Sequence, residues 1–131
     1  MTVPATGPAT TARRMPRARH SSTMSFAFAG LEGSLTTGTH PDGQLGEVVL
    51  RMGKQGSTLA GLAEPFSAVT TLALQYGVLM DLLIEHLRGL RFEPDGSTDD
   101  EEIPQATSVM DRVARRLALD HTTVRPAVRH T

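Results

Sequence analysis

The apolar side chains change period once along this chain. Between Thr23 and Met52 they alternate with polar ones, and from Ser57 onward they recur every three or four residues. A chain written in that order commits its first half to strands and its second half to helices, which predicts an α+β fold with the helices segregated to one side of a sheet. Met24, Phe26 and Phe28 share one face of a first strand over Thr23–Phe28, and the β-branched run Leu35–Thr39 supplies a second. Pro41-Asp42-Gly43 makes a turn, with proline fixing φ and glycine free to take positive φ. Gly46–Met52 is the third strand, Val48 and Leu50 facing one way, Val49 and Arg51 the other. The expectation is a three-stranded antiparallel meander with one apolar face that about three helices must cover.

Ser57 is a good N-cap for the first helix, whose apolar face reads as Leu59, Leu62, Phe66, Val69, Ala73 and Tyr76, with Gly77 at the left-handed C-cap position. Pro65 is expected to bend or split this helix. A second helix over Leu79–Leu87 places Leu79, Leu82, Leu83 and Leu87 on one face and ends at Gly89. After the Pro94-Asp95-Gly96 turn and the acidic stretch Asp99–Glu102, read as a solvated loop, a third helix from about Pro104 buries Ala106, Val109, Met110, Val113 and Leu117.

With 131 residues, 39% of them apolar, the chain has material for one modest core, and that core falls in residues 21–121. Residues 1–20 read as a disordered arm ending in the cationic run Arg13-Arg14-Met15-Pro16-Arg17-Ala18-Arg19, and residues 122–131 as a flexible tail. The net charge of −1 gives no general attraction to nucleic acid. No run approaches the roughly 20 apolar residues of a membrane helix, and no secretory signal opens the chain, so a cytoplasmic protein is expected. There is no cysteine, which excludes disulfides, thiolate metal sites and thiyl radical chemistry within these residues.

The segment best suited to hold a ligand is Gly53-Lys54-Gln55-Gly56-Ser57-Thr58. Two glycines let backbone amides approach an anion, and a helix N-terminus follows at once. It is not a P-loop, because no glycine stands five residues before Gly53 and Gln55 occupies the place of the magnesium-binding hydroxyl. Gly53, Lys54, Gly56, Ser57 and Thr58 are therefore ligand or partner candidates, together with Arg91 and Glu93, which flank Phe92 in a short connector. The connector also reads as a pin between the second helix and the sheet. Glu47 is expected to pair with Arg51 or Lys54. His20, His40, His86, His121 and His130 are scattered with no helical pairing, so no metal site is expected. No catalytic constellation is visible: no carboxylate pair has acid/base spacing, no Gly-x-Ser-x-Gly elbow occurs, and Tyr76 reads as a core residue. Val113–Val124 superficially resembles a helix-turn-helix, but Pro126 and the end of the given sequence leave no room for a recognition helix, and nucleic-acid binding is not expected.

Longer passages carry a resemblance. Arg13-Arg14-Met15-Pro16, Phe28-Ala29-Gly30-Leu31-Glu32-Gly33, the run Gly46–Leu62, Leu72–Val78 continuing to Leu90-Arg91-Phe92-Glu93-Pro94, Ile103–Asp111 and Arg115-Arg116-Leu117-Ala118-Leu119 occur in order over about four-fifths of the chain. In these residues the chain resembles the C-terminal region of adenosylcobalamin-dependent (class II) ribonucleotide reductases and the related stand-alone TSCPD domain. The resemblance implies a link to deoxyribonucleotide synthesis and a reductase or a relative as protein partner. Adenosylcobalamin belongs to the full-length reductases, and no cofactor is expected in this chain. At the place of the domain's naming motif stands Thr107-Ser108-Val109-Met110-Asp111, without cysteine, and the family's cysteine-rich tail has no counterpart in Thr122–Thr131. What the resemblance implies is an accessory module that does not turn over substrate alone. The alternative is a small-ligand or nucleotide sensor built on the Gly53–Thr58 turn.

Overall fold

A computed structural model describes residues 11–121. The expected arm up to residue 10 and the tail from residue 122 lie outside the described residues. The elements are β1 (His20–Phe28), β2 (Leu31–Thr39), β3 (Leu45–Met52), α1 (Thr58–Gln75), α2 (Met80–Leu87), β4 (Gly96–Asp100), β5 (Ile103–Ala106) and α3 (Val109–His121). The fold is α+β, as the change of period predicts. The sheet, however, has five antiparallel strands in the order β3-β2-β1-β4-β5, not three.

The first three strands form the expected meander with longer arms. Ala29 and Gly30 take positive φ of 52° and 83°, the combination a two-residue hairpin needs. That turn lets Leu31–Ser34 join β2 instead of forming a loop. The register sets Phe26 across from Gly33 and Gly33 across from Met52, and Met24, Leu35 and Leu50 form the next row. Phe26, Phe28, Leu35, Val48, Leu50 and Met52 thus share one face and are buried in the core. A Cβ on Gly33 would lie 2.6 Å from the Arg51 carbonyl and 2.6 Å from the Met52 sulfur, so this row closes only with glycine.

The fourth and fifth strands occupy what reads as an acidic loop and a helix start. Gly96-Ser97-Thr98-Asp99-Asp100 has no apolar alternation. It is held by pairing of Phe28 with Thr98, by the bond from the Ala29 amide to the Ser97 carbonyl and by the Asp99 carboxylate, which accepts from the Ala27 amide at 2.9 Å. Pro104 is tolerated in β5 because that strand is the sheet's edge. The third helix accordingly begins at Val109, not near Pro104, with the Ser108 hydroxyl accepting from the Asp111 amide at 3.0 Å.

Helix α1 starts at the predicted N-cap, where Ser57 Oγ accepts from the Ala60 amide at 3.1 Å. It ends in the predicted glycine cap: Val78 N–H reaches the Ala73 carbonyl, Gly77 N–H reaches that of Leu74, and Gly77 has φ +92°. Pro65 neither splits nor ends it.

The faces of α1 and α2 differ from the sequence reading. In α1 the buried positions are Ala63, Ser67 and Thr70, while Leu62 and Val69 are 60% and 65% exposed. The reason is that β3 is an edge strand and α1 runs along its open side. Ser67 Oγ bonds the Leu50 amide at 2.7 Å and its carbonyl, and Thr71 Oγ1 bonds the Val48 amide and carbonyl, each at 3.0 Å. One helical turn between hydroxyls, about 6 Å, nearly matches two residues of strand, about 6.8 Å. The helix thereby satisfies an edge that would otherwise invite another strand. In α2 Met80 and Ile84 are buried, Leu79 is the N-cap residue outside the helix, and Leu79 and Leu82 face outward.

Candidate functional site

The Gly53–Thr58 turn bends as two adjacent glycine-permitted corners, with Gly53 at φ +75° and Gly56 at φ +87°. Much of its donor capacity is already engaged. Gly53 N–H bonds the Glu32 carbonyl at 3.2 Å, Ser57 N–H bonds the Lys54 carbonyl at 3.0 Å, and the Ala60 amide is taken by the Ser57 hydroxyl. Lys54, Gln55, Gly56 and Thr58 are exposed. A groove of about 790 Å³ opens beside the turn, bounded by Arg51, Gly53, Gln55, Gly56, Ser57 and Glu64 among others. Gly53, Gly56 and Ser57 line it, and its rim carries one cation and one anion, Arg51 and Glu64.

Arg91 and Glu93 lie on a different connection, between α2 and β4. Both are exposed, and no ion pair joins them. The connector is nevertheless held at its start. Asp111 accepts from the Gly89 amide at 2.8 Å and the Thr107 amide at 3.1 Å, Thr107 Oγ1 donates to the Leu90 carbonyl at 2.7 Å, and Phe92 N–H reaches the Thr107 carbonyl. Leu90 and Phe92 remain outward, 42% and 41% exposed. The two candidate groups are therefore not brought together. The connector does tie the end of α2 to the start of α3, in partial agreement with the pin expected between α2 and the sheet.

A layer of charge under the sheet was not foreseen. Asp111, Arg112 and Arg116 of α3 are buried; Asp99, Asp100 and Glu102, read as a solvated loop, are the partners of the two arginines, and Asp111 pairs with Arg115. Arg116 bonds Asp100 at 2.8 Å, Glu102 at 3.0 Å and Asp120 at 2.8 Å. The Asp120 hydrogen bond, against the effect of burial and with help from Asp100 and Glu102, holds the Arg116 guanidinium above its usual range. Burial pushes the Asp111 carboxyl up, but the Gly89 and Thr107 amides and Arg115 outweigh it and hold the group below the ordinary carboxylate value. Arg112, 1% exposed, stacks 4.0 Å from the Phe26 ring centroid and bonds Asp99 at 3.2 Å; burial lowers its pKa against that carboxylate. The signal available in the sequence was the i, i+4 repetition of Asp111, Arg115, Arg116 and Asp120, which does not tell an exposed face from a buried one.

The cationic segment before β1 also lies against the domain. Arg13 bonds Asp42 at 3.0 Å and Gln44 at 2.6 Å, and its amide reaches the Gln75 carbonyl. Arg19 takes Glu47, the residue expected to pair with Arg51 or Lys54. Met15 fits over Gly38 and Gly46, where an added Cβ would come within 3.1 and 2.5 Å of its side chain. The segment thus starts against the C-terminal end of α1, at Arg13, and continues over β2 and β3 at Met15 and Arg19. The segment read as helix-turn-helix is one continuous helix from Val113 to His121, and Thr122–Val124 lie outside the described residues.

Among the described residues no group of three His, Asp or Glu side chains is placed to hold a metal, and no helix is long and apolar enough to cross a membrane. Among the described residues, the buried polar side-chain atoms left without a partner are Nε and Nη1 of Arg112, both closed to solvent.

A family model described as the TSCPD domain matches residues 8–121. A vitamin B12-dependent ribonucleotide reductase of Streptomyces clavuligerus is 46% identical over 108 residues, which is 82% of this chain and 11% of the relative. Relatives with the same name from Rhodopirellula baltica and Bradyrhizobium diazoefficiens are 41% identical over 81% of the chain and 36% identical over 82% of it, covering 10% and 9% of their own lengths. The chain thus spans about a tenth of these relatives. No solved structure matches.

Proposed function

The chain belongs to the TSCPD domain family, and from that premise we propose that it is an accessory module of deoxyribonucleotide synthesis that docks on a B12-dependent ribonucleotide reductase or a relative, without turning over substrate itself. One observation carries the reading: a sequence 46% identical to part of a reductase over four-fifths of its length contains no cysteine. Thiol-driven reduction needs a sulfur that can be oxidised, so these residues contribute by contact and not by chemistry. The contact surface in this reading is the connector at Leu90, Arg91, Phe92 and Glu93. It offers an outward Phe92 between opposite charges, with outward Leu90 before them, on a backbone fixed by buried Asp111, which suits the anchored aromatic of an interface centre.

The test has two arms. Purified protein supplied with adenosylcobalamin, ribonucleotide and reductant should yield no deoxyribonucleotide; product would overturn the accessory role. A tagged chain should retain a cobalamin-dependent reductase from native lysate, identified by mass, and Phe92→Ala or Arg91→Glu should weaken that capture. Retention unaffected by both variants would remove the connector from the reading.

The nucleotide-sensing alternative rests on the groove beside Gly53–Thr58. Its support is weaker, because the Ser57 hydroxyl, the Gly53 and Ser57 amides and the Ala60 amide just beyond the turn already have partners. Millimolar nucleotide that leaves the amide signals of Lys54, Gly56 and Thr58 unmoved would dismiss it.

A further inference from the structure

The two outer edges of the sheet are protected, and an inner one is not. Along β3 the hydroxyls of α1 take the backbone, and at β5 Pro104 removes a donor. The open stretch lies along β1, which pairs with β2 over its whole length but with β4 only where Phe28 meets Thr98. The Ala29 amide reaches the Ser97 carbonyl and the Ala27 amide reaches the Asp99 carboxylate, so the odd-numbered residues of β1 aim their main-chain groups at the β4 side. Asp99 ends that ladder by standing in for a strand carbonyl. Beyond it the N–H and C=O groups of Ser21, Thr23 and Ser25 face outward with no strand beside them among the described residues, and all three residues are exposed. Residues 21–25 carry none of the usual devices that blunt an edge, neither lysine nor proline nor a bulge.

We infer that the β1 edge at Thr23 and Ser25 takes up, as an added strand, an extended segment of a partner protein that carries lysine or arginine side chains. The main chain of such a segment completes the ladder, and its charge is selected by the cleft that opens there. That cleft, of about 490 Å³, lies between Met24 and Ser25 on one side and the acidic residues Asp99, Asp100, Glu101 and Glu102 on the other. Arg112 and Arg116 also border it, so four carboxylates face two guanidinium groups and two negative charges are in surplus. Glu101 is exposed and takes part in no ion pair among the described residues, and Asp99 and Glu102 stay 49% and 63% exposed within theirs. A cationic segment meets that surplus and an acidic one is repelled. The side chain of Met24, 38% exposed, gives the stem of a lysine or arginine an apolar surface to lie on. Buried Arg112 keeps Nε and Nη1 without acceptors at this cleft, and a peptide chain brings carbonyl acceptors where an apolar partner brings none. The β1 edge of a second copy suits the cleft less well, because it offers serine, threonine and methionine there, and its nearest cation, Arg19, is held by Glu47. None of these residues belongs to the connector at residues 90–93, so the two surfaces can be tested apart.

The probe is a peptide of about ten residues, the length of a long strand, in which lysine and valine alternate. Added at millimolar concentration to the isotope-labelled full chain, it should shift the amide signals of Thr23 and Ser25 and slow their hydrogen exchange, and raising the salt should weaken both effects. Ser25→Pro removes an outward N–H without touching a bond to β2. It should lower the affinity by at least about tenfold while the amide signals of β2 and β3 stay in place. Glu101→Lys, at an exposed position with no ion pair, should lower it by about fivefold through charge alone. Two control peptides need no variant of the protein: one with glutamate in place of lysine and one N-methylated throughout, neither of which should bind. Thr23 and Ser25 signals unmoved by the lysine peptide overturn the proposal, as does equal binding of either control. So does a wild type that dimerises through this edge, seen as a dimer that Ser25→Pro disperses.

Discussion

Helices α1 and α3 meet the sheet by opposite means. Along α1 the buried polar contacts are neutral: two hydroxyls satisfy the open backbone of β3, with no ion pair within the junction. Along α3 the contacts are charged, and Asp111, Arg112 and Arg116 bring their partners with them. A hydroxyl bonded to a backbone is cheap to bury and blind to pH, whereas a carboxylate or guanidinium must recover a large desolvation cost and its balance moves with protonation. The α1 junction therefore serves as a shape-fixed cover for an edge. The α3 layer orders three otherwise weak segments: the polar strand β4, the β4–β5 turn and the connector before them.

The largest way to break this contrast is Asp111→Ala. It leaves the Gly89 and Thr107 amides and the neighbouring Arg115 uncompensated, and should cost about 3 to 5 kcal/mol at neutral pH in urea unfolding. Its pH dependence has a definite sign. Folding lowers the Asp111 pKa below its ordinary value of 3.8, so protons bind the unfolded chain more tightly. The stabilisation is full above that value and is lost as pH falls through the folded pKa. The gap between wild type and variant should therefore hold at neutral pH and narrow in acid; a gap that widens in acid would refute the assignment.

Ser67→Ala tests the neutral junction. It orphans the Leu50 amide at the sheet edge and should cost about 1 to 3 kcal/mol, with the same loss in acid, at neutrality and in high salt. Gly77→Ala, which forces a side chain into the left-handed cap of α1, should cost about 1 kcal/mol or slightly more in thermal unfolding. Smallest of all, Arg112→Met should change stability by about 1 kcal/mol or less, because two of the guanidinium nitrogens already lack partners and the apolar stem can still cover Phe26. A loss as large as that of Asp111→Ala would mean that the Arg112–Asp99 pair is a principal support of the layer.

Much of the fold was legible. Ser57 and Gly77 stand at the ends of α1 as their chemistry requires, Pro41-Asp42-Gly43 turns between β2 and β3, and Phe26, Phe28, Val48 and Leu50 share the buried face. The phase of α1 was not legible, because Leu62 and Val69 form one apolar stripe and Ala63, Ser67 and Thr70 a second face that only an adjacent edge strand makes inward. Nor was β4, whose Asp99 and Asp100 look like loop residues until Arg112 and Arg116 are placed over them. Of the candidate site residues, Gly53, Gly56 and Ser57 do line a common groove, while Arg91 and Glu93 belong to another surface.

What the linear order of residues determined is the α+β class, the meander and the helix caps, since each depends on period, turn chemistry or a residue's own φ. Which face of α1 looks inward, and whether an aspartate is a solvated charge or a buried ligand of backbone amides, was decided by tertiary structure. Both depend on which strand edge and which guanidinium the rest of the chain brings within hydrogen-bonding distance.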